Sequence, residues 1–265
     1  GLDAQGLPVA RGAGDGQAVI RACNRLVDAY EAWVNGKQAE IGSAIAELRM
    51  IQDPPNAHEL LKGEATKNLG LCREAIRRMR AGIACLEKNA NAMRVFNLAN
   101  LAMLMQARQS LIQRKKDPNA NPPAWRPFQL AFLLMAIRSI VEPDSTLPPE
   151  GKGGPATSPP RERDIVDLIW FPTGGGKTEA YLGLMAITLI HRRLRYKGSP
   201  DKGAGVGIIT RYTLRLLTSQ QFERATRMVC ALEVLRLSPA FENELGTVPF
   251  KIGLFVGGDS SPNLF

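Results

Sequence analysis

Eight consecutive residues, Phe171-Pro172-Thr173-Gly174-Gly175-Gly176-Lys177-Thr178, have the types and order of a phosphate cradle. Glycines without Cβ let the backbone approach an anion closely and turn through positive φ. Amides at the start of a following helix then point at the phosphate, and the helix dipole favours its charge. Lys177 is positioned to reach the β and γ phosphates, and the Thr178 hydroxyl to take a place on Mg²⁺. Lys177 and Thr178 are thus the expected catalytic pair. Thr173, Gly174, Gly175, Gly176 and Glu179 complete the expected site for ATP and Mg²⁺. Phe171 stands where the G-x-x-x-x-G-K-[ST] pattern has its first glycine.

The elements needed to hold such a loop are legible around it. Residues 165–171 form a short apolar run that reads as a strand, and residues 177–195 have helical periodicity. Apolar runs follow at 205–211 and 250–256, separated by a helical stretch at 213–237. Strand, helix, strand, helix, strand is the doubly wound α/β pattern, so the expected fold is a partial RecA-like lobe with a parallel sheet and flanking helices. Ligands in such sheets sit beyond the carboxyl ends of the strands. Thr210 and Arg211 lie at the second end, with Gln221 on the helix beyond, and Gly257 and Gly258 lie at the third. In the first helix of the lobe, Tyr181, Leu184, Met185, Thr188 and Leu189 are the expected inward face.

Upstream the pattern is helical. Residues 1–16 read as a loose lead-in and 17–117 as an all-helical domain, with a helix end at Gly36, a break at 53–56 and a turn at 88–91. Residues 118–265 read as the lobe, interrupted by a Pro- and Gly-rich insertion at 142–163. Arg73, Arg77, Arg78 and Arg80 cluster within two turns and read as a solvated helix face paired with Glu74 and its neighbours. Met93, Met103 and Met105 read as core or interface filling.

A formal charge of +9 over 265 residues suits a polyanion partner, although the basic residues are spread evenly along the chain. Four cysteines without C-x-x-C spacing read as core thiols of a reducing compartment, and two distant histidines give no zinc site. No apolar run reaches the roughly 18 residues of a membrane helix, and no cleavable leader is evident. A cytoplasmic segment of a longer polypeptide is the expectation.

The Pro172-Thr173-Gly174-Gly175-Gly176-Lys177-Thr178 run resembles motif I of superfamily 2 helicases and translocases. On that resemblance Thr210-Arg211 and Gln221 correspond to residues on the nucleic-acid backbone, and Gly257-Gly258 to amides that meet a phosphate. Arg126-Pro127-Phe128-Gln129 is similar to the adenine-reading segment, with Gln129 on the base. The run from Leu168 to Leu184, with Arg211-Tyr212-Thr213-Leu214-Arg215-Leu216-Leu217-Thr218, is more narrowly similar to the DrmA family of bacterial DISARM phage-defence systems. That resemblance implies ATP-dependent helicase or translocase action on DNA, single-stranded by preference, and a DrmB-like partner subunit. No Asp-Glu box or second lobe follows Gly258, so this segment alone is expected to be nearly inactive as an ATPase. Two other readings fit the same residues: a P-loop NTPase switch without a nucleic-acid role, and a nucleotide-stabilised scaffold.

Overall fold

A computed structural model describes residues 15–48, 57–120, 122–146, 161–170, 174–212, 215–241 and 244–255. Most of the expected lead-in and insertion, and Thr173, Gly257 and Gly258, lie outside the described residues. Among the described residues six α-helices dominate: α1 (Asp15–Leu48), α2 (Ala57–Lys88), α3 (Ala90–Gln113), α4 (Pro127–Val141), α5 (Lys177–Arg195) and α6 (Arg215–Leu237). The chain divides into two compact units. The N-terminal unit comprises Ala13–Met93 and Arg126–Trp170, and the C-terminal unit includes Arg94–Trp125 and Phe171–Phe265.

In the N-terminal unit α1, α2 and α4 pack on one another. Ile20, Cys23, Val27 and Val34 line the buried stripe of α1, and Leu69, Ile76, Met79, Ile83 and Leu86 that of α2. These spacings keep one face of a 3.6-residue helix inward. Gly36 does not end α1; it lies exposed within a continuous helix. An interior glycine costs about 1 kcal/mol relative to alanine, which packing of α1 on α2 offsets. Asn89 does separate α2 from α3. Its side-chain oxygen accepts from the Asn91 and Ala92 amides at 3.0 and 3.1 Å, satisfying two donors at the start of α3. Burial pushes the Cys23 thiol up to about 11, and burial with the nearby Glu142 carboxylate pushes Cys85 up to about 12. Both are inert core thiols, whereas Cys230 is exposed.

The arginine cluster of α2 is consumed internally. Arg77 pairs with Glu74 and Arg73 with Gln38, while Arg80 reaches Asn24, Asp28 and Glu31 of α1. Arg78 does not lie on a solvated face. It is buried and donates two bonds, of 2.5 and 2.7 Å, to the Asp167 carboxylate.

In the C-terminal unit α3 is buried around its circumference from Val95 to Met105, Met103 and Met105 included. Arg94 pairs with Glu244 and lies over the Phe241 ring. The buried face of α5 is Ala180, Gly183, Ala186, Ile187 and Ile190, with Leu182 beside it. The expected face of Tyr181, Leu184, Met185, Thr188 and Leu189 is rotated out of it. Apolar residues occur on both sides of this helix, so periodicity could not choose. The small residues Ala180, Gly183 and Ala186 lie on the side that is buried.

The expected parallel sheet is absent among the described residues. Among the described residues the only β pairing is an isolated antiparallel bridge between Thr146 and Arg161. Residues 165–170, 205–212 and 250–255 carry no ladder. Several of their apolar side chains stand in solvent, Val166 at 93% exposed, Trp170 85%, Ile209 87% and Phe255 88%, whereas Phe250 is buried. The RecA-like lobe is therefore corrected to a helical architecture. With no sheet among the described residues, they form no strand–loop–helix P-loop unit. The ATP-dependent helicase or translocase, the P-loop switch and the nucleotide-stabilised scaffold all lose their structural basis together. The physical reason is specific. A short apolar run signals a segment that needs cover, and it looks the same whether or not neighbouring strands exist to provide it.

One extended segment is anchored by charge. The Phe250 amide donates to Glu233 at 2.9 Å, and Arg236 binds the same carboxylate from one turn along α6. The Arg236 guanidinium and the Phe250 amide hold the Glu233 carboxyl below its usual range, against the opposing effect of burial. A depressed folded-state pKa gives stability that is present above the unfolded pKa and lost as pH falls through the folded one. Glu233→Gln should therefore lower the melting temperature at neutral pH and flatten its decline in acid. Parallel acid limbs for the two proteins would contradict this.

Candidate functional site

The expected phosphate loop meets the structure at the N-terminus of α5. Gly174 and Gly176 have φ of 80° and 88°, a left-handed conformation that L side chains rarely adopt. Gly176 is the residue immediately before the helix, which begins at Lys177. Gly175, Lys177 and Thr178 are partly buried beside it. The first-turn amides and the helix dipole favour negative charge here, and Glu179 already supplies a carboxylate in that turn. Arg224 of α6 donates to Glu179. Tyr212 joins them: burial raises its pKa, while Arg224 lowers it and Tyr181 raises it further. The α5 start is thus surrounded by Glu179, Tyr181, Tyr212 and Arg224.

Only Glu179 of these was expected at a site. The helical pattern predicts Tyr181 on the inward face, and Arg224 lies 45 positions from its partner, too far for any local spacing rule. Gln221 is three residues before Arg224, hence on a neighbouring position of the same helical face. Its side-chain oxygen is buried without a hydrogen-bond partner among the described residues.

Thr210 and Arg211 lie exposed on the extended segment after α5. Gln129 is placed differently from an open base reader. It is buried in the N-terminal unit, where its side-chain oxygen accepts from the Arg126 amide at 2.8 Å and its own amide donates to the Arg126 carbonyl at 3.0 Å. With Pro127 in the first turn, this reciprocal pair closes the start of α4.

The oxygen donors fall short of a metal centre on their own. Among the described residues no group of three or more His, Cys, Asp or Glu could hold an ion. Magnesium wants six oxygens in near-octahedral array and commonly one or two carboxylates. At α5 the Thr178 hydroxyl is available in sequence, while the adjacent Glu179 carboxylate is engaged by Arg224. Any Mg²⁺ would have to arrive with a polyphosphate. Among the described residues no helix is long and apolar enough to cross a membrane.

No family model matches the chain. The chain is similar to a curated relative, the DISARM protein DrmA of Bacillus paralicheniformis, with 34% identity over 263 residues. The similarity covers 95% of this chain but 20% of the relative, so the chain spans about a fifth of that protein's length.

Proposed function

We propose, from the premise that this chain belongs to the DrmA family of DISARM proteins, that it is a non-catalytic binding segment of a cytoplasmic phage-defence protein. It docks a DrmB-like partner subunit and touches the backbone of DNA. The observation that carries this reading is the exposure of large apolar side chains on both units. Val166, Leu168 and Trp170 project from the N-terminal unit, and Val206, Ile209 and Phe255 from the C-terminal one. Contiguous exposed apolar residues on a soluble protein mark surfaces that another protein covers.

The DNA contact is assigned to Thr210, Arg211 and Gln221, with Gly257 and Gly258 beyond. It is supported by the net charge of +9 and the exposure of Thr210 and Arg211. Contacts of this kind hold a strand without reading its sequence. ATP with Mg²⁺ is proposed only as a ligand at Gly174, Gly175, Gly176, Lys177, Thr178 and Glu179, without turnover by this chain.

The test is co-purification of the chain with a DrmB-like subunit, comparing wild type with Trp170→Asp and Ile209→Asp. Both variants should fold, because the altered side chains are exposed, and each should weaken the complex at least tenfold. Retention of full affinity by both would overturn the docking reading. Isothermal titration of Mg-ATP against wild type and Lys177→Ala tests the ligand separately from the partner.

A further inference from the structure

The last turn of α5 and the bend after it carry more positive charge than the local structure uses. Between residues 192 and 202 there are five cations, Arg192, Arg193, Arg195, Lys197 and Lys202, against one carboxylate, Asp201. Cations are expected at a helix C-terminus, and the two inner arginines fill that role. Arg192 donates to the Ala204 carbonyl at 2.8 Å. Arg193 is buried, donates to the Pro249 carbonyl at 3.0 Å and stacks over Phe250 with its guanidinium carbon 4.7 Å from the ring centre. They clamp the bend and the 249–250 segment onto α5. Asp201 is consumed within the bend, accepting from the Ser199 hydroxyl at 2.5 Å and the Gly203 amide at 3.3 Å.

Arg195, Lys197 and Lys202 remain exposed, and among the described residues none has a carboxylate within ion-pair distance. Tyr196 is exposed among them, with the Arg195 guanidinium carbon 5.7 Å from its ring centre. The bend that presents them is internally hydrogen-bonded. The Ser199 amide donates to the Tyr196 carbonyl, the Lys202 amide to that of Ser199 and the Ala204 amide to that of Asp201. A Cβ on Gly203 would lie 2.3 Å from the Arg192 carbonyl oxygen, so the bend packs against the helix end without spare room. Lys202 itself holds φ of 50°, a left-handed conformation that glycine or asparagine would adopt more cheaply. Its ammonium is directed to the Thr247 hydroxyl at 3.4 Å, and Lys251 is exposed further along that segment.

We propose that Arg195, Tyr196, Lys197 and Lys202 form a contact surface for the phosphate backbone of single-stranded nucleic acid. Lysine and arginine neutralise phosphates, and an exposed aromatic flanked by cations is a platform on which a base of any identity stacks. This deepens the DNA-contact reading above and rests on it, but places the surface at the far end of α5 from Lys177. An acidic protein would meet the same charges without using the ring of Tyr196.

The experiment is fluorescence anisotropy of a labelled oligo-dT twenty-mer against the chain over a range of salt. Wild type is compared with the triple variant Arg195→Gln, Lys197→Gln, Lys202→Gln, with Tyr196→Leu, and with Arg211→Ala. The triple variant should bind at least tenfold more weakly, with the slope of log affinity against log salt reduced by about 2. Tyr196→Leu should weaken oligo-dT about tenfold and leave its salt slope unchanged. Lys202→Gly alone should bind less while melting no lower than wild type, which a purely structural lysine would not do. If Arg211→Ala abolishes binding and the triple variant binds as wild type, this surface is wrong and the DNA reading stands. If wild type does not bind oligo-dT at all, both fail. Displacement of oligo-dT by poly-glutamate at equal charge concentration, with Tyr196→Leu unaffected, would overturn the proposal in favour of an acidic protein.

Discussion

Gly82→Ala should destabilise the N-terminal unit by roughly 2–3 kcal/mol, as overpacking against a fixed obstacle does. Gly63→Ala and Gly70→Ala, in the same helix, should each stabilise it by up to about 1 kcal/mol. The opposite signs follow from what each new Cβ would meet. At Gly63 and Gly70 there is nothing within 4 Å, so only the helix propensity of alanine acts. At Gly82 the Cβ would fall 1.9 Å from the Leu134 carbonyl oxygen and 2.9 Å from its carbon. That obstacle is backbone within α4 and cannot rotate aside, so α2 and α4 must separate along a contact that buries Met79, Ile83, Leu133 and Ile137. Clash outweighs propensity. Equilibrium denaturation of the three variants decides it, and a Gly82→Ala protein as stable as Gly63→Ala would show that the two helices are not in close contact.

Gly82 also shows what sequence could and could not disclose. In sequence it looks the same as Gly63 and Gly70, because a glycine in a helical pattern announces either flexibility or close approach and does not say which. The choice lies in α4, some fifty positions away. The same limit governs the sheet. The run at 165–170 has the apolar character of a buried strand, yet its Val166 and Trp170 side chains are exposed and no ladder forms among the described residues. The stop at Asn89 was legible because capping is local chemistry, a side-chain oxygen two or three residues from its donors. The surroundings of the α5 start were half legible: Gly174 and Gly176 announce left-handed turns, whereas Arg224 and Tyr212 arrive through the tertiary structure.

The second large effect concerns the arginine of α2 that a solvated-face reading placed in water. Arg78→Ala should cost roughly 3 kcal/mol, near the lower end for breaking a buried pair because the Asp167 side chain keeps 26% of its exposure. Asp167 would lose both guanidinium bonds, at 2.5 and 2.7 Å, and stay partly desolvated with no replacement donor. Arg78→Lys should recover only part of the loss, since an ammonium cannot make the parallel pair of bonds that a planar guanidinium makes. Arg78→Met with Asp167→Leu should be more stable than Arg78→Ala, because removing both charges removes the desolvation penalty with the attraction. The local consequence is as specific as the global one. Arg78 and the Arg138–Glu162 pair, at 2.9 Å, are the charged anchors of residues 161–167. Burial pushes the Glu162 carboxyl up, and Arg138 opposes that shift. Without Arg78, tryptic cleavage after Arg161 and Arg163 should accelerate at least tenfold while α1 and α2 stay protected. Unchanged cleavage together with a loss below about 0.5 kcal/mol would mean that the pair behaves as an exposed one, and that the apolar side chains of 165–170 are held out to a partner by some other contact.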